Sequence, residues 1–211
     1  CAGEQTTLTA TAGQYYLWSN GATTQSITLT PLADTNVSVQ VTDNKGCVGQ
    51  ASVNVLVHAL PTAGIVTNTG LSSVCRGKSI TLTASGGTSY VWETGERTAS
   101  ITVSPLTETT YRVQAFGDGG CSTTAQITIQ VLDLPTASVT GPLVGCAGDN
   151  IILTASAGTN WLWSTGATTQ TITIVAPPVG RTEYTVQVFN AAGCSSTAMH
   201  AVVMSALPNA A

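Results

Sequence analysis

The chain has 211 residues, enough for one large domain or two to three small ones. Only 8% of its residues are charged, against roughly 25% in an ordinary globular domain, and its net charge is −4. Six Lys and Arg cannot build the basic patch that captures nucleic acid, and no apolar run approaches the roughly 18 residues of a spanning helix, so neither nucleic acid nor membrane insertion is expected.

The chain opens on Cys1 without an initiator Met or a signal peptide and closes on LPNAA. It is expected to be a mature or excised piece of something longer. From Tyr16 to Leu29 it reads YLWSNGATTQSITL. Nearly the same string returns as YVWETGERTASITV at Tyr90–Val103 and as WLWSTGATTQTITI at Trp161–Ile174. A catalytic site is normally built once, so a block written three times marks a structural unit set in series.

The cysteines fix the register. Each unit has a leading Cys (Cys1, Cys75, Cys146), a Trp 17 residues later (Trp18, Trp92, Trp163) and a trailing Cys after a Gly (Cys47, Cys121, Cys194). Each closes on Leu-Pro: Leu60-Pro61, Leu134-Pro135 and Leu207-Pro208. Six cysteines permit 15 pairings from spacing alone. If each unit folds alike, every Cys finds its partner inside its own unit, giving 1–47, 75–121 and 146–194. The main competitor is a clamp across the junction, 47–75 with 121–146. A zinc site is a weaker alternative, because no pair has the Cys-x₂₋₄-Cys spacing. Bonded cysteines imply an oxidising compartment.

The complete middle unit gives the elements in chain order. A strand at Ala63–Thr67 follows the Leu-Pro junction. Ser79–Ala84 (SITLTA) alternates apolar and Thr positions; a turn at Ser85–Thr88 follows, then Tyr90–Trp92 and Ile101–Val103. Thr110–Ala115 (TYRVQA) and Ala125–Val131 (AQITIQV) each have one dry and one wet face, and Gly117–Gly120 joins them. Period two throughout predicts strands. Short antiparallel strands with closely spaced turns predict a β-sandwich, with each repeated Trp on the dry face. Antibody-type domains carry a Tyr two residues before the second Cys. Here Tyr111 and Tyr184 lie ten residues before it and Val37 takes the place in the first unit, so the units are read as immunoglobulin-like only.

The patterns C-x-G-x-x-x-x-L-T-A, Y-x-W-S-x-G-x-T-T-x-x-I-T, T-Y-x-V-x-V, G-C and L-P together resemble the Ig-like/PKD-like repeats of Bacteroidota cell-surface proteins. These include large repetitive adhesins of gliding bacteria and multidomain proteins exported by the type IX system. The resemblance covers the whole chain three times. It implies an extracellular or cell-surface location, a longer array, and a role as stalk, spacer or adhesive segment.

Chemistry is hard to find. His58 and His200 lie near final strands of different units and are not expected to share a metal or a triad. Glu93 and Glu96 could form a carboxylate pair, but their counterparts are Ser19/Ala22 and Ser164/Ala167, which favours a solvated loop. Asp43 with Asn44, and Asp118, lack the acid density of a calcium loop. No metal, cofactor or catalytic residue is expected. Tyr16, Tyr90 and Trp161 share the face of the core Trp and are expected to be buried. Tyr15 points the other way and is the candidate ligand face for a surface polysaccharide, although its counterparts are Ser89 and Asn160. Outward Thr rows such as Thr7, Thr9 and Thr11 are read as wet-face strand propensity.

The expected architecture is all-β: a tandem array of three Ig-like antiparallel β-sandwich domains with one intradomain disulfide each. The boundaries are 1–60 (lacking its first strand), 61–134, and 135–211 with the start of the next junction. Pro after Leu stops the last strand and holds the chain extended, so Leu60 or Leu134 is expected to be buried between stiffly joined neighbours. The expected function is a non-enzymatic structural or adhesive segment of a bacterial surface stalk, filament or adhesin. Its partners would be further repeats, surface polysaccharide or copies of itself. The alternatives are carbohydrate-binding or spacer modules of a secreted polysaccharide-degrading enzyme, and a self-assembling fibre subunit.

Overall fold

The computed structural model describes residues 1–208. The first repeat holds β1 (Thr6–Thr9), β2 (Tyr15–Trp18), β3 (Ser26–Leu29), β4 (Thr35–Thr42) and β5 (Val48–Val55). The second holds β6 (Gly64–Thr67), β7 (Ser73–Cys75), β8 (Ile80–Ser85), β9 (Ser89–Trp92), β10 (Ser100–Val103), β11 (Thr109–Phe116) and β12 (Ser122–Leu132). The third holds β13 (Val139–Thr140), β14 (Val144–Cys146), β15 (Ile151–Ala155), β16 (Asn160–Trp163), β17 (Thr171–Ile174), β18 (Gly180–Phe189) and β19 (Ser195–Ser205). No α-helix occurs among the described residues.

The chain separates into two compact units that do not follow the repeat boundaries. The first comprises Cys1–Leu71, Ile80–Val103 and Thr110–Thr128. The second comprises Ser72–Ser79, Ser104–Thr109 and the chain from Ile129 onward.

In the first unit β1 pairs with β3, while β2, β4 and β5 form a second sheet. Leu8 and Ile27 from one sheet close on Trp18, Val37 and Val39 from the other. Farther along the same unit β8 lies between β6 and β10, and β11 pairs with β9. The first part of β12 runs beside β11, where Thr110 and Thr128 join hydroxyls at 2.8 Å and Gln114 donates to Ser122. Period two decides the burial here. Ile80, Leu82 and Ala84 are buried on β8, and Tyr111, Val113 and Ala115 on β11.

In the second unit β15 lies between β13 and β17, and the facing sheet runs β14-β19-β18-β16. Ile151, Leu153, Trp163, Val186, Val202 and Met204 form its core. The last three residues of β12 also belong here and pair with β7.

The repeated block is explained by one hairpin built three times. Trp18, Trp92 and Trp163 are 5%, 1% and 2% exposed. A buried indole needs a partner for its N–H, and each Nε1 donates to a Thr carbonyl six residues on: Thr24 at 2.7 Å, Thr98 at 2.9 Å and Thr169 at 2.8 Å. That carbonyl is brought round because the Trp amide donates to Ala22, Glu96 or Ala167, and Gly21, Gly95 or Gly166 donates back to the Trp carbonyl. The turning glycines have φ of 86°, 98° and 86°, a region that strains any residue with a Cβ. The same Thr hydroxyls then bond the chain two residues on, at 2.7 Å in every copy.

Two features depart from the antiparallel expectation. β7 and β14 are short strands that run parallel to the last strand of their own repeat, β12 and β19. Each follows the strand that opens the other sheet, so the leading segment crosses from one sheet to the next. In the first repeat β1 has only β3 beside it, whereas β8 and β15 each have two neighbours. Among the described residues the other edge of β1 is unpaired.

Trp92→Ala removes the largest buried side chain of the middle repeat. It is expected to destabilise the first unit by about 3–5 kcal/mol, read as a lower urea midpoint by circular dichroism.

Candidate functional site

The bonds between cysteines are the feature most unlike the sequence expectation. Cys1 is bonded to Cys121, with Cα atoms 5.5 Å apart, and Cys75 to Cys194, at 5.6 Å. Each bridge joins the leading Cys of one repeat to the trailing Cys of the next. The expected pairs 1–47, 75–121 and 146–194 do not form, nor does the junction clamp 47–75 with 121–146. Cys47 and Cys146 are free and exposed.

The reason lies in the parallel leading strand. Cys146 stands opposite Ser205, the last residue of β19. Cys194 immediately precedes Ser195, the first residue of that strand. Eleven residues of strand at about 3.3 Å each put these cysteines roughly 35 Å apart, where a disulfide needs Cα atoms within about 7 Å. The middle repeat has the same register, with Cys75 opposite Leu132 and Cys121 just before Ser122. The two cysteines of these repeats stand at opposite ends of the last strand, so they cannot bond to each other.

Around each bridge the backbone is tied in the same way. The residue after the leading Cys donates to the chain at or just past the end of the last strand: Ala2 to His58 and Arg76 to Leu132, both at 2.9 Å. The Thr123 hydroxyl donates to the Pro61 carbonyl at 2.5 Å, and Ser196 donates likewise to Pro135. Asn190 adds a bond from its side-chain amide to the Asp133 carbonyl at 2.9 Å, and Arg76 pairs with Asp133 at 2.6 Å. These bonds, rather than buried leucines, hold the Leu-Pro segments. Leu60, Leu134 and Leu207 are 45%, 40% and 62% exposed, so the expected burial of Leu60 or Leu134 does not occur. Pro fixes the direction of the chain and leaves the Leu side chain facing solvent. Gly86 seats the same segment, because a Cβ there would collide with the Thr62 carbonyl oxygen.

An open groove of about 360 Å³ lies in the first repeat, with Leu8, Trp18, Val39, Ala51 and Val53 among its walls. In the third repeat Val139 of β13 packs on the equivalent core. Tyr15 is 64% exposed on β2, opposite Thr42, as its place in the pleat predicts. Tyr16, Tyr90 and Trp161 are half-buried, and the Tyr16 and Tyr90 hydroxyls donate to the carbonyls of Gly13 and Gly87.

Several titratable residues hold structural bonds. Glu93 pairs with Arg112 at 3.5 Å. The Thr94 side chain, with help from the Glu96 amide, holds the exposed Glu96 carboxyl below its usual range against a small opposing effect of desolvation. A general acid needs the opposite shift. Asp43 accepts from the amides of Lys45 and Cys47 at 2.8 and 2.9 Å. The His58 ring packs on Gly119, and a His200 ring nitrogen lies 3.1 Å from the Pro142 carbonyl. No three His, Cys, Asp or Glu side chains converge among the described residues, and no helix there is long and apolar enough to cross a membrane.

No family model matches the sequence, and no curated protein matches it either. Solved structures that resemble the fold are tandem immunoglobulin-like or fibronectin-like proteins. A variant of titin domains I67–I69 aligns over 96% of this chain and 93% of its own, at 13% identity and a TM-score of 0.39. A Ca²⁺-stabilized adhesin that helps an Antarctic bacterium bind ice aligns over 99% of this chain and 71% of its own, at 15% identity and a TM-score of 0.40. Fibronectin(III)-like modules of CbhA from Clostridium thermocellum align over 68% and 95%, at 13% and 0.38.

Two outcomes check the junctions. Alkylation of the unreduced, denatured chain is expected to mark Cys47 and Cys146 and no other thiol, read by peptide mass mapping. Gly95→Ala meets open space and should cost about 1–2 kcal/mol from its left-handed backbone alone. Gly86→Ala, with a carbonyl in its way, should lower the thermal midpoint further than Gly95→Ala does.

Proposed function

We propose that this chain is a non-enzymatic repeat segment of an extracellular bacterial surface stalk or adhesin, made of three Ig-like modules. Its work is to carry tension and to set distance. One observation carries the reading: each sulfur bridge spans from one repeat to the next, and the two bridged loops overlap in sequence. A pull on Cys1 crosses to Cys121, returns along the chain to Cys75 and crosses to Cys194. The extensible length between the outer cysteines is then the 46 residues between Cys75 and Cys121. At roughly 3.5 Å per residue that is about 160 Å, against about 680 Å for the chain without bridges.

The remaining supports are compositional. Disulfides persist in oxidising surroundings outside the cytosol, and the resemblance to Bacteroidota surface repeats agrees with that location. The partners this reading calls for are further repeats of the same kind and a surface to which the array holds, with Tyr15 the exposed aromatic offered to it.

The test is single-molecule extension between handles at the two ends. The oxidised chain is expected to stop at the short contour and the reduced chain to reach the long one. A full-length contour in the oxidised chain would sink the tension-carrying role.

A further inference from the structure

The outer face of the β2-β4-β5 sheet in the first repeat holds a shallow depression of about 520 Å³. Leu17, Gln40 and Gln50 stand abreast across its three strands, and Ser38 and Ser52 stand abreast in the next row, beside Ser19. Tyr15, Thr42 and Val48 form the row on the other side. Period two turns all of these away from Trp18, Val37 and Val39, which are buried on the opposite face. Tyr15, Leu17 and Val48 are exposed, and no residue of β2, β4 or β5 is charged.

The other repeats fill this face differently. Where the first has Ser19 and Ser38, the second has Glu93 and Arg112, which pair at 3.5 Å. Arg112 also donates to Gln126, the counterpart of Ser52, at 3.1 Å. These long side chains cover a row that three serines leave open. In the third repeat Met199 takes the place of Ser52. The glutamine differs in its partner. Gln114 and Gln187 each donate to a serine hydroxyl, Ser122 and Ser195, at 2.8 Å. Val48 stands at that place in the first repeat, and a valine side chain accepts nothing, so the Gln40 amide is left for a ligand. The ring of Tyr15 is also particular to this repeat, since its counterparts are Ser89 and Asn160. An exposed ring, an uncommitted amide and an open row of hydroxyls meet on one face.

We propose that this face binds an extended, uncharged chain of hexopyranose rings, with one ring stacked on Tyr15 and its neighbours lying over the depression. The C–H face of a pyranose ring matches the face of an aromatic ring. Amides and serine hydroxyls both donate and accept, as sugar hydroxyls do. With no charge on the three strands, nothing there favours an acidic or basic ligand. The Tyr15 row lies about 7 Å along the strand from the Leu17 row, so a chain of several rings reaches both. A protein partner needs about 800 Å² on each side around an apolar core, whereas here a single ring stands beside a polar floor. The inference deepens the reading of a segment that holds to a surface, and it rests on that reading.

The experiment titrates the ¹⁵N-labelled chain with cellohexaose, with mannohexaose and, as the charged counterpart, with hexagalacturonate. At least one of the two neutral hexasaccharides is expected to shift the side-chain amides of Gln40 and Gln50 and the backbone amide of Ser38. The dissociation constant should be on the order of 1 mM, because each hydroxyl exchanges one set of hydrogen bonds for another. Tyr15→Ala, which removes the platform, and Ser38→Arg, which fills the depression with the residue type the second repeat carries, should each weaken binding at least about tenfold. Val48→Ser returns a hydroxyl to Gln40 and should weaken it about threefold. An unchanged urea midpoint shows that each variant is folded. The proposal is overturned if neither neutral sugar shifts these amides at about 10 mM, if hexagalacturonate binds as tightly, or if binding survives both Tyr15→Ala and Ser38→Arg. Such a failure leaves the two contours under force as they are, so it is distinguishable from failure of the tension-carrying role.

Discussion

The constraint on which the structure depends is the parallel pairing of three leading residues with the end of a repeat's last strand. Val144–Cys146 on β19 and Ser73–Cys75 on β12 place the leading Cys at the far end of an eleven-residue strand from the trailing one. A disulfide cannot reach across that length. The four bonded cysteines pair with a neighbouring repeat, and what would have been an internal staple becomes a link. The Leu-Pro segment, the hydroxyl of Thr123 or Ser196, and the amide after the leading Cys then meet beside it.

Much of the fold was legible because its signals are local. The Trp block is a hairpin whose hydrogen bonds all close within about six residues, so its recurrence could be read directly. The alternation in β8, β11 and β12 follows from the pleat. Leading strands of three residues were invisible because a run of that length shows no period, and SVC and VGC have no apolar alternation to detect. Missing them hid that the leading Cys stands at the far end of the last strand from the trailing one, which rules out the pairing within a repeat. The burial expected for Leu60 failed for a related reason. Pro61 dictates the direction of the backbone, and the direction of the Leu side chain was left undetermined. On β2 Tyr15 is exposed and Trp18 buried, while Tyr16 is only half-buried where burial was expected.

The sparse charge of the chain is matched by hydroxyls. Directly opposed residues on β8 and β10 join side chains, Thr81 with Thr102 at 3.0 Å and Thr83 with Ser100 at 2.9 Å. Thr9 and Ser26 do the same on β1 and β3, and Thr154 and Thr171 on β15 and β17. Cross-strand pairs of this kind contribute up to about 1 kcal/mol each and, unlike ion pairs, respond little to salt. The rows of outward Thr that the sequence displays are therefore lateral ties within sheets.

The overlap of the two bridged loops also bears on damage. A cut anywhere between Cys1 and Cys75 leaves the pieces joined through Cys121, and one between Cys121 and Cys194 leaves them joined through Cys75. Between Cys75 and Cys121 both bridges span the break. Peptidases nick exposed loop tips first, yet no single nick from residue 1 to 194 can release a fragment. A chain built this way stays one molecule after its backbone has been broken once.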